Sequence, residues 1–391
     1  MTPATAAAPT LPGPASARVG MIGAGQLARM THQAAADLGI GLEILARSGT
    51  DPAVLAGAHH LLGPPDSLER LSTIAERCDV ITLDHEHVPT EHLYALHAAG
   101  HTLRPRAEAI GLAQDKLSAR RTLERAGFPV PPYIPAEAGD LDAVAAFAEW
   151  WGWPVVAKSR HGGYDGRCVH VVEDLSTARA VLSAGAPGGW VVEARVAIAT
   201  ELAVLVARNP SGYTAIYPVV ETHQADGICR ELVMPAAIPD DVASAASRLA
   251  KSIADGIDVA GILAVELFLT PDGDLVVNEL AARPHNSGHA TIEATATSQF
   301  HNHLRGILDW PLGSTAMVAP AAATVNVIGP ASGRDPLQHL PAALGVPGAH
   351  VHLYAKAPRP GRKLGHVTAL GTDRDEALDT ARAAARLLTG S

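Results

Sequence analysis

At 391 residues the chain is long enough for two or three domains, and 47% hydrophobic with 18% charged residues fits a folded, soluble protein. A net charge of −10 argues against nucleic-acid binding, which calls for a basic face. Three scattered cysteines exclude a disulfide framework and point to the cytoplasm, and no apolar run reaches the about 18 residues of a membrane helix.

Residues 1–17 carry no charge and no apolar h-region, and read as a disordered tail. A strand over 18–23 runs through Gly23-x-Gly25-x-x-Ala28 into a helix that reaches about residue 38. Strands over 41–46 and 79–83, with helical patterns between, predict a doubly wound parallel sheet, a Rossmann-like N-terminal domain over 18–112. A helix over 114–126 opens a central domain, 113–315. Its strands at 155–158, 168–172 and 190–193 alternate with helical stretches in a subdomain at about 128–197. Strand-rich runs from 201 to 234, a helix over 240–255 and a hairpin at 260–280 complete it. Residues 315–323, rich in Ala and Pro, look like a connector. A small α+β domain over 316–391, with three short strands and an Ala-rich helix, ends the chain.

The hairpin carries the most chemistry. Its first strand, 260–269, is apolar apart from Glu266; the turn Thr270-Pro271-Asp272-Gly273-Asp274 supplies special dihedrals; the second strand, 275–280, carries Asn278 and Glu279. A loop of two or four residues would fold the strands about the Asp272–Gly273 bond. Glu266 would then face Glu279, with Cβ atoms about 4.5–5.5 Å apart. Both strands read as buried on both faces, where facing carboxylates repel unless a cation sits between them. Oxygen ligands without a nearby cysteine suit magnesium, with manganese as the alternative. The stretch that follows, Arg283-Pro284-His285-Asn286-Ser287-Gly288-His289, is dense in anion-binding side chains. A metal site beside an anion site suggests phosphoryl transfer.

Three further segments suit anions. Gly23-x-Gly25-x-x-Ala28, with Glu43 further on, matches a dinucleotide fingerprint, but its physics asks only for an anion at a helix N-terminus. Gln26 in that turn favours a phosphorylated substrate over NAD. His161-Gly162-Gly163-Tyr164-Asp165-Gly166-Arg167 follows a strand ending in Lys158 and can bring backbone N–H groups onto phosphates, without a Walker pattern. Lys356-Ala357-Pro358-Arg359-Pro360-Gly361-Arg362-Lys363 gathers four cations in a stiff loop of an acidic protein.

Together these segments resemble the ATP-grasp superfamily and, more closely, its 5-(carboxyamino)imidazole ribonucleotide synthase family, over about residues 18–388. Four motifs carry the resemblance: Gly-x-Gly-Gln-Leu-x-Arg at 23–29, Gly-Gly-Tyr-Asp-Gly-Arg at 162–167, the run from Asn278-Glu279-Leu280 to His289, and Arg359-Pro360-Gly361-Arg362-Lys363-x-Gly365-His366. The resemblance implies an ATP-grasp fold and a ligase of purine biosynthesis. Bicarbonate would take the γ-phosphoryl group of ATP to give carboxyphosphate, and the amine of 5-aminoimidazole ribonucleotide would then be carboxylated. A homodimer is implied too.

The motif positions imply roles. Lys116 and Lys158 would hold ATP phosphates beneath a lid of Gly163, Tyr164, Asp165, Gly166, Arg167, Cys168 and Val169. Glu193, Ala194, Arg195 and Val196 would read adenine, Glu201 the ribose, and Gln224 the nucleotide. Glu266 and Glu279 would bind magnesium, with Asn278 beside the nucleotide. Arg283, His285, Asn286 and His289 would be catalytic. Gln26, Leu27, Glu86, Ser287, Lys356, Arg362 and Lys363 would hold the ribonucleotide. Departures from the family pattern are Cys168 where Gly is usual, Ala282 in place of Pro, and Gln224 in place of His. His223 stands one residue away from Gln224, on the opposite face by strand periodicity. The rival readings are a formate-dependent glycinamide ribonucleotide transformylase, an NAD-dependent dehydrogenase and a non-catalytic nucleotide sensor.

Overall fold

The computed structural model describes residues 17–162, 168–225 and 227–390. The first sheet contains β1 (Arg18–Ile22), β2 (Gly41–Ala46), β3 (His59–Leu62) and β4 (Val80–Leu83), all parallel, in the order β3-β2-β1-β4. β1, β2 and β4 fall where the sequence places strands. β3 escapes it because His-His-Leu-Leu is short, lies at the sheet edge and is largely exposed, so it shows no apolar alternation. The helix Gln26–Asp37 leaves the glycine loop and buries Leu27, Ala28, Met30, Ala34 and Ala35.

The second sheet is β5 (Tyr133–Ala136), β6 (Val155–Ser159), β7 (Val169–Val172) and β8 (Trp190–Ala194), antiparallel, in the order β5-β8-β6-β7. The helices Leu141–Trp151 and Leu175–Ser183 share one core with it, built on Val144, Phe147, Leu182 and Trp190.

The third sheet has nine antiparallel strands: β9 (Thr200–Arg208), β10 (Thr214–Ile216), β11 (Val220–Ala225), β12 (Ile228–Met234), β13 (Gly261–Leu269), β14 (Leu275–Ala281), β15 (Ala321–Ile328), β16 (Ala349–Leu353) and β17 (Lys363–Gly371). The order is β14-β13-β9-β11-β12-β15-β17-β16, with β10 on β9. Pairing of β12 with β15 makes the C-terminal strands a continuation of the central sheet. The alanines read as the end of a connector at 315–323 are strand from Ala321 onward. Ala323 packs against Ala377 and Leu378 of the helix Arg374–Thr389, so small side chains here serve close packing rather than flexibility. Among the described residues no helix is long and apolar enough to cross a membrane.

The helix Lys116–Arg125 begins at Asp115, whose carboxylate accepts from Leu117 N and Ser118 N at 3.1 and 3.2 Å. Arg160, just past β6, adds two bonds to the same carboxylate at 2.7 and 2.6 Å. Burial raises the Asp115 pKa, but the bonds from Arg160 and Ser118 outweigh it and lower the value from 3.8 to about 2. Asp115→Ala is expected to cost about 2 kcal/mol at neutral pH. A carboxyl with a depressed folded-state pKa stabilises above its unfolded value and loses that contribution as pH falls. The gap between wild type and variant in urea titrations should therefore narrow from about pH 4 to pH 2. A gap independent of pH would show that the ion pair is not its source.

Candidate active site

β13 and β14 place Glu266 directly opposite Glu279. The route differs from the expected one. Residues 270–274 form a five-residue connection between the paired Leu269 and Leu275, and a bulge at Asn278 restores the register. The bulge also re-aims Asn278, whose Nδ2 donates to Glu266 Oε2 at 3.3 Å and whose Oδ1 accepts from Lys158 Nζ at 3.0 Å. β14 is a sheet edge rather than a strand buried on both faces, so Glu266 and Glu279 keep 30% and 41% of their side chains exposed and a ligand can reach them.

Cations from two other parts of the fold converge on this pair. Lys116 Nζ donates to Glu279 Oε1 at 2.7 Å. Lys158, on β6, lies 2.7 Å from Glu193 Oε2, and Arg120 holds the other Glu193 oxygen at 2.7 Å. Arg120 also donates to Asn278 O at 2.7 Å. The Glu193 carboxylate is thus committed inside the protein and aims Lys158. The two facing acids differ electrostatically. Lost hydration raises the pKa of Glu266, and Glu279 and Glu201 raise it further. Glu279 also loses hydration, but Lys116 outweighs that and holds it below the usual range. An anion with too few partners beside one with a cation is a donor set suited to a further positive charge. Among the described residues no three His, Cys, Asp or Glu side chains form a metal cage. The pair fits a hard divalent cation that takes one or two carboxylates and fills its remaining positions with phosphate and water.

Past β14 the chain enters Arg283–His289. Gln299 fixes the backbone of His285, accepting from its N–H at 2.9 Å and donating to its carbonyl at 2.7 Å. The His285 ring bonds Ser287 Oγ at 2.9 Å and stands 3.6 Å from Glu266. Burial, then the charges of Arg283 and Lys363, push its pKa down to about 3, so the ring is neutral. Among the described residues, neither buried amide atom of Asn286 has a protein partner. Arg283 forms an ion pair with Glu86 at 2.7 Å, bringing the loop after β4 to the end of β14. Lys363, the first residue of β17, has its charge felt at Glu266, His285 and His289. Lys356 donates to Gln26 at 2.5 Å, and Arg362 donates to Ala357 O at 3.1 Å. Leu27 is buried beside Gln26. Gln224 bonds Glu201, whereas His223, across a bulge, turns to Glu221 at 3.0 Å. Arg195 is exposed and Ala194 and Val196 are half-buried.

His289 is wholly buried and stacks on His366, because the helical turn Asn286–Gly288 directs it inward. Gly163, Tyr164, Asp165, Gly166 and Arg167 lie outside the described residues. Cys168 precedes β7 rather than beginning it. It is exposed and has φ +61°, a left-handed conformation that explains why Gly is usual there. Val169 begins β7 and is exposed. The first glycine loop already has its anion: Gly25 N–H donates to Asp84 Oδ2 at 2.6 Å, and a Cβ on Gly23 would meet Asp84 Oδ1. A buried carboxylate thus occupies the place where a dinucleotide would put its pyrophosphate. Arg120, Asp84 and Gln299 went unread in the sequence, since each acts through a partner far along the chain.

Cations converging on a facing carboxylate pair within a three-sheet frame are what the ATP-grasp class of enzymes presents. Residues 121–300 match the ATP-grasp domain, 16–114 the ribonucleotide synthetase preATP-grasp domain, and 322–380 the phosphoribosylaminoimidazole carboxylase C-terminal domain. The chain is 47% identical to the N5-carboxyaminoimidazole ribonucleotide synthase of Mycobacterium tuberculosis over 379 residues, covering 95% of this chain and 87% of that protein. It is 40% identical to the enzyme of the same name from Synechococcus elongatus, over 90% of this chain and 88% of that one. The Aspergillus clavatus synthase, solved with ADP and 5-aminoimidazole ribonucleotide, superposes with a TM-score of 0.88 at 32% identity, over 96% of this chain and 99% of that chain. The chain belongs to the N5-carboxyaminoimidazole ribonucleotide synthase family and is a ligase.

Glu266→Gln and Glu279→Gln should each abolish ATP turnover, yet move the stability of the metal-free protein in opposite directions. Losing Glu266 relieves like-charge repulsion, whereas losing Glu279 strands Lys116, each worth about 1 kcal/mol. Thermal melts in chelator check this. Shifts of the same sign would contradict the assigned asymmetry.

Proposed function

We propose that the chain carboxylates the amine of 5-aminoimidazole ribonucleotide with bicarbonate, at the expense of ATP, to give 5-(carboxyamino)imidazole ribonucleotide, ADP and phosphate. A bicarbonate oxygen attacks the γ-phosphorus and ADP leaves. The amine nitrogen then attacks the carboxyl carbon of carboxyphosphate and phosphate leaves, carrying off the amine proton. Lys116 and Lys158 orient the ATP phosphates, and Glu201 with Gln224 faces the ribose. Glu266 and Glu279 would hold the metal, magnesium in preference to manganese, which would neutralise phosphate charge.

The observation that carries this reading is Asn286. Its amide offers a donor and an acceptor with no protein partner among the described residues, next to a His285 ring that stands 3.6 Å from Glu266, which suits bicarbonate, itself both donor and acceptor. Arg283, steadied by Glu86, supplies the charge for the carboxylate. Lys356, Gln26, Arg362 and Lys363 form the corner for the ribonucleotide phosphate, with Leu27 and Ser287 shaping its walls. A cytoplasmic homodimer is part of the same reading, supported by three free cysteines and by the family resemblance.

ADP release should require both the ribonucleotide and bicarbonate, and ADP formation indifferent to bicarbonate would refute the carboxylation. Arg362→Ala should raise KM for the ribonucleotide roughly ten- to a hundredfold and leave KM for ATP nearly unchanged. An equal rise for both substrates would move Arg362 to the nucleotide or to the fold.

A further inference from the structure

Behind the proposed phosphate corner lies a column of stacked rings that the chemistry above does not use. His366 on β17 stacks on His352 of β16 at 4.5 Å and 16°, and on His289 at 4.6 Å and 22°. His352 Nε2 meets Glu293 Oε1 at 2.6 Å, closing one end of the column. His289 and His366 are fully buried, and burial first, then the neighbouring charges, keeps both rings neutral. Among the described residues the column forms no metal cage. Its outlet is Tyr354, which is 1% exposed and whose phenol oxygen lies 2.6 Å from His366 Nδ1. The His289 ring meets the Tyr354 ring edge-on at 6.4 Å.

The backbone then doubles back. Ala355 has φ +55°, a left-handed conformation rare for a residue with a side chain. This turn brings Lys356 Nζ to 5.4 Å from the centroid of the Tyr354 ring, within cation–π range, while the same ammonium donates to Gln26. We infer that Tyr354, locked by His366, is a positioning residue that holds the Lys356 ammonium on the phosphate of the ribonucleotide. Tyr354 is too buried to touch that substrate itself, so it acts through Lys356. The inference rests on the proposed assignment of the Lys356–Gln26 corner to the phosphate.

A double-mutant cycle separates the two claims. Tyr354→Leu should raise KM for the ribonucleotide about 3- to 30-fold while kcat and KM for ATP stay within about twofold. In a Lys356→Met background the same substitution should add less than about twofold, because its route of action is gone. If Lys356→Met alone leaves KM for the ribonucleotide unchanged, the phosphate assignment fails and takes the inference with it. If Lys356→Met raises KM but Tyr354→Leu still exacts its full penalty in that background, the inference alone fails. Should Tyr354→Leu not fold, Tyr354→Phe, which keeps the ring and loses the lock, should give a smaller rise that likewise vanishes in the Lys356→Met background. An undiminished rise there overturns the inference.

Discussion

Two carboxylates fixed opposite each other on neighbouring strands repel, and the charges gathered around the candidate site answer that repulsion. Glu266 and Glu279 cannot move apart, because β13 is bound on its other side to β9 along its whole length. The compensating charges therefore come to them. Lys116 arrives from a helix start, Lys158 from the second sheet and Lys363 from the far end of the third. None of these could be spared for solvent without leaving the hairpin under strain. The site thus sits where separately built units meet, and its electrostatics give those units a reason to meet there.

Aiming these cations needs buried anions of its own. Glu193 is almost entirely enclosed yet charged, held so by Arg120 and Lys158 together. Arg120 in turn grips the carbonyl of Asn278, the bulge residue that links Glu266 to Lys158. Such a closed network stabilises little in itself, since each ion gives up its hydration, but it leaves Lys158 one orientation. A similar economy holds at the first sheet. Asp84 satisfies the helix N-terminus that a phosphate could otherwise have taken, and the loop's side chains, Gln26 above all, are left to meet the ligand.

Where sequence reading succeeded, the signal was local and periodic. The facing acids were legible because strand alternation and a Pro-Asp-Gly turn constrain register, although the five-residue loop and the bulge are two departures that cancel. β2 and the helix Asp240–Gly256 carried clean apolar patterns and lie where expected. What stayed hidden was set by contacts distant in sequence. β3 has no pattern of its own, Ala321 to Ala323 look like a linker until the last helix is packed on them, and His289 reads as a catalytic side chain although its ring is buried against His366. The tether of Gln299 to His285 spans a helical turn and a loop, with no spacing rule to announce it.

The pairing of Lys116 with Glu279 carries one further consequence. The same ammonium is assigned to ATP phosphates, and it cannot keep a 2.7 Å bond to Glu279 while serving them fully. On the proposed assignment, nucleotide and divalent metal together would bring both halves of an exchange, the metal's charge standing in for Lys116 at Glu279 and the phosphates' charge for Glu279 at Lys116. Each group trades one opposite charge for another, so the rearrangement exposes no bare ion at any stage. Either half alone would strand a charge, the metal leaving Lys116 without its anion and the nucleotide leaving Glu279 without its cation. The geometry thus favours arrival of metal and nucleotide together, and the hairpin that positions the acids also couples the two ligands.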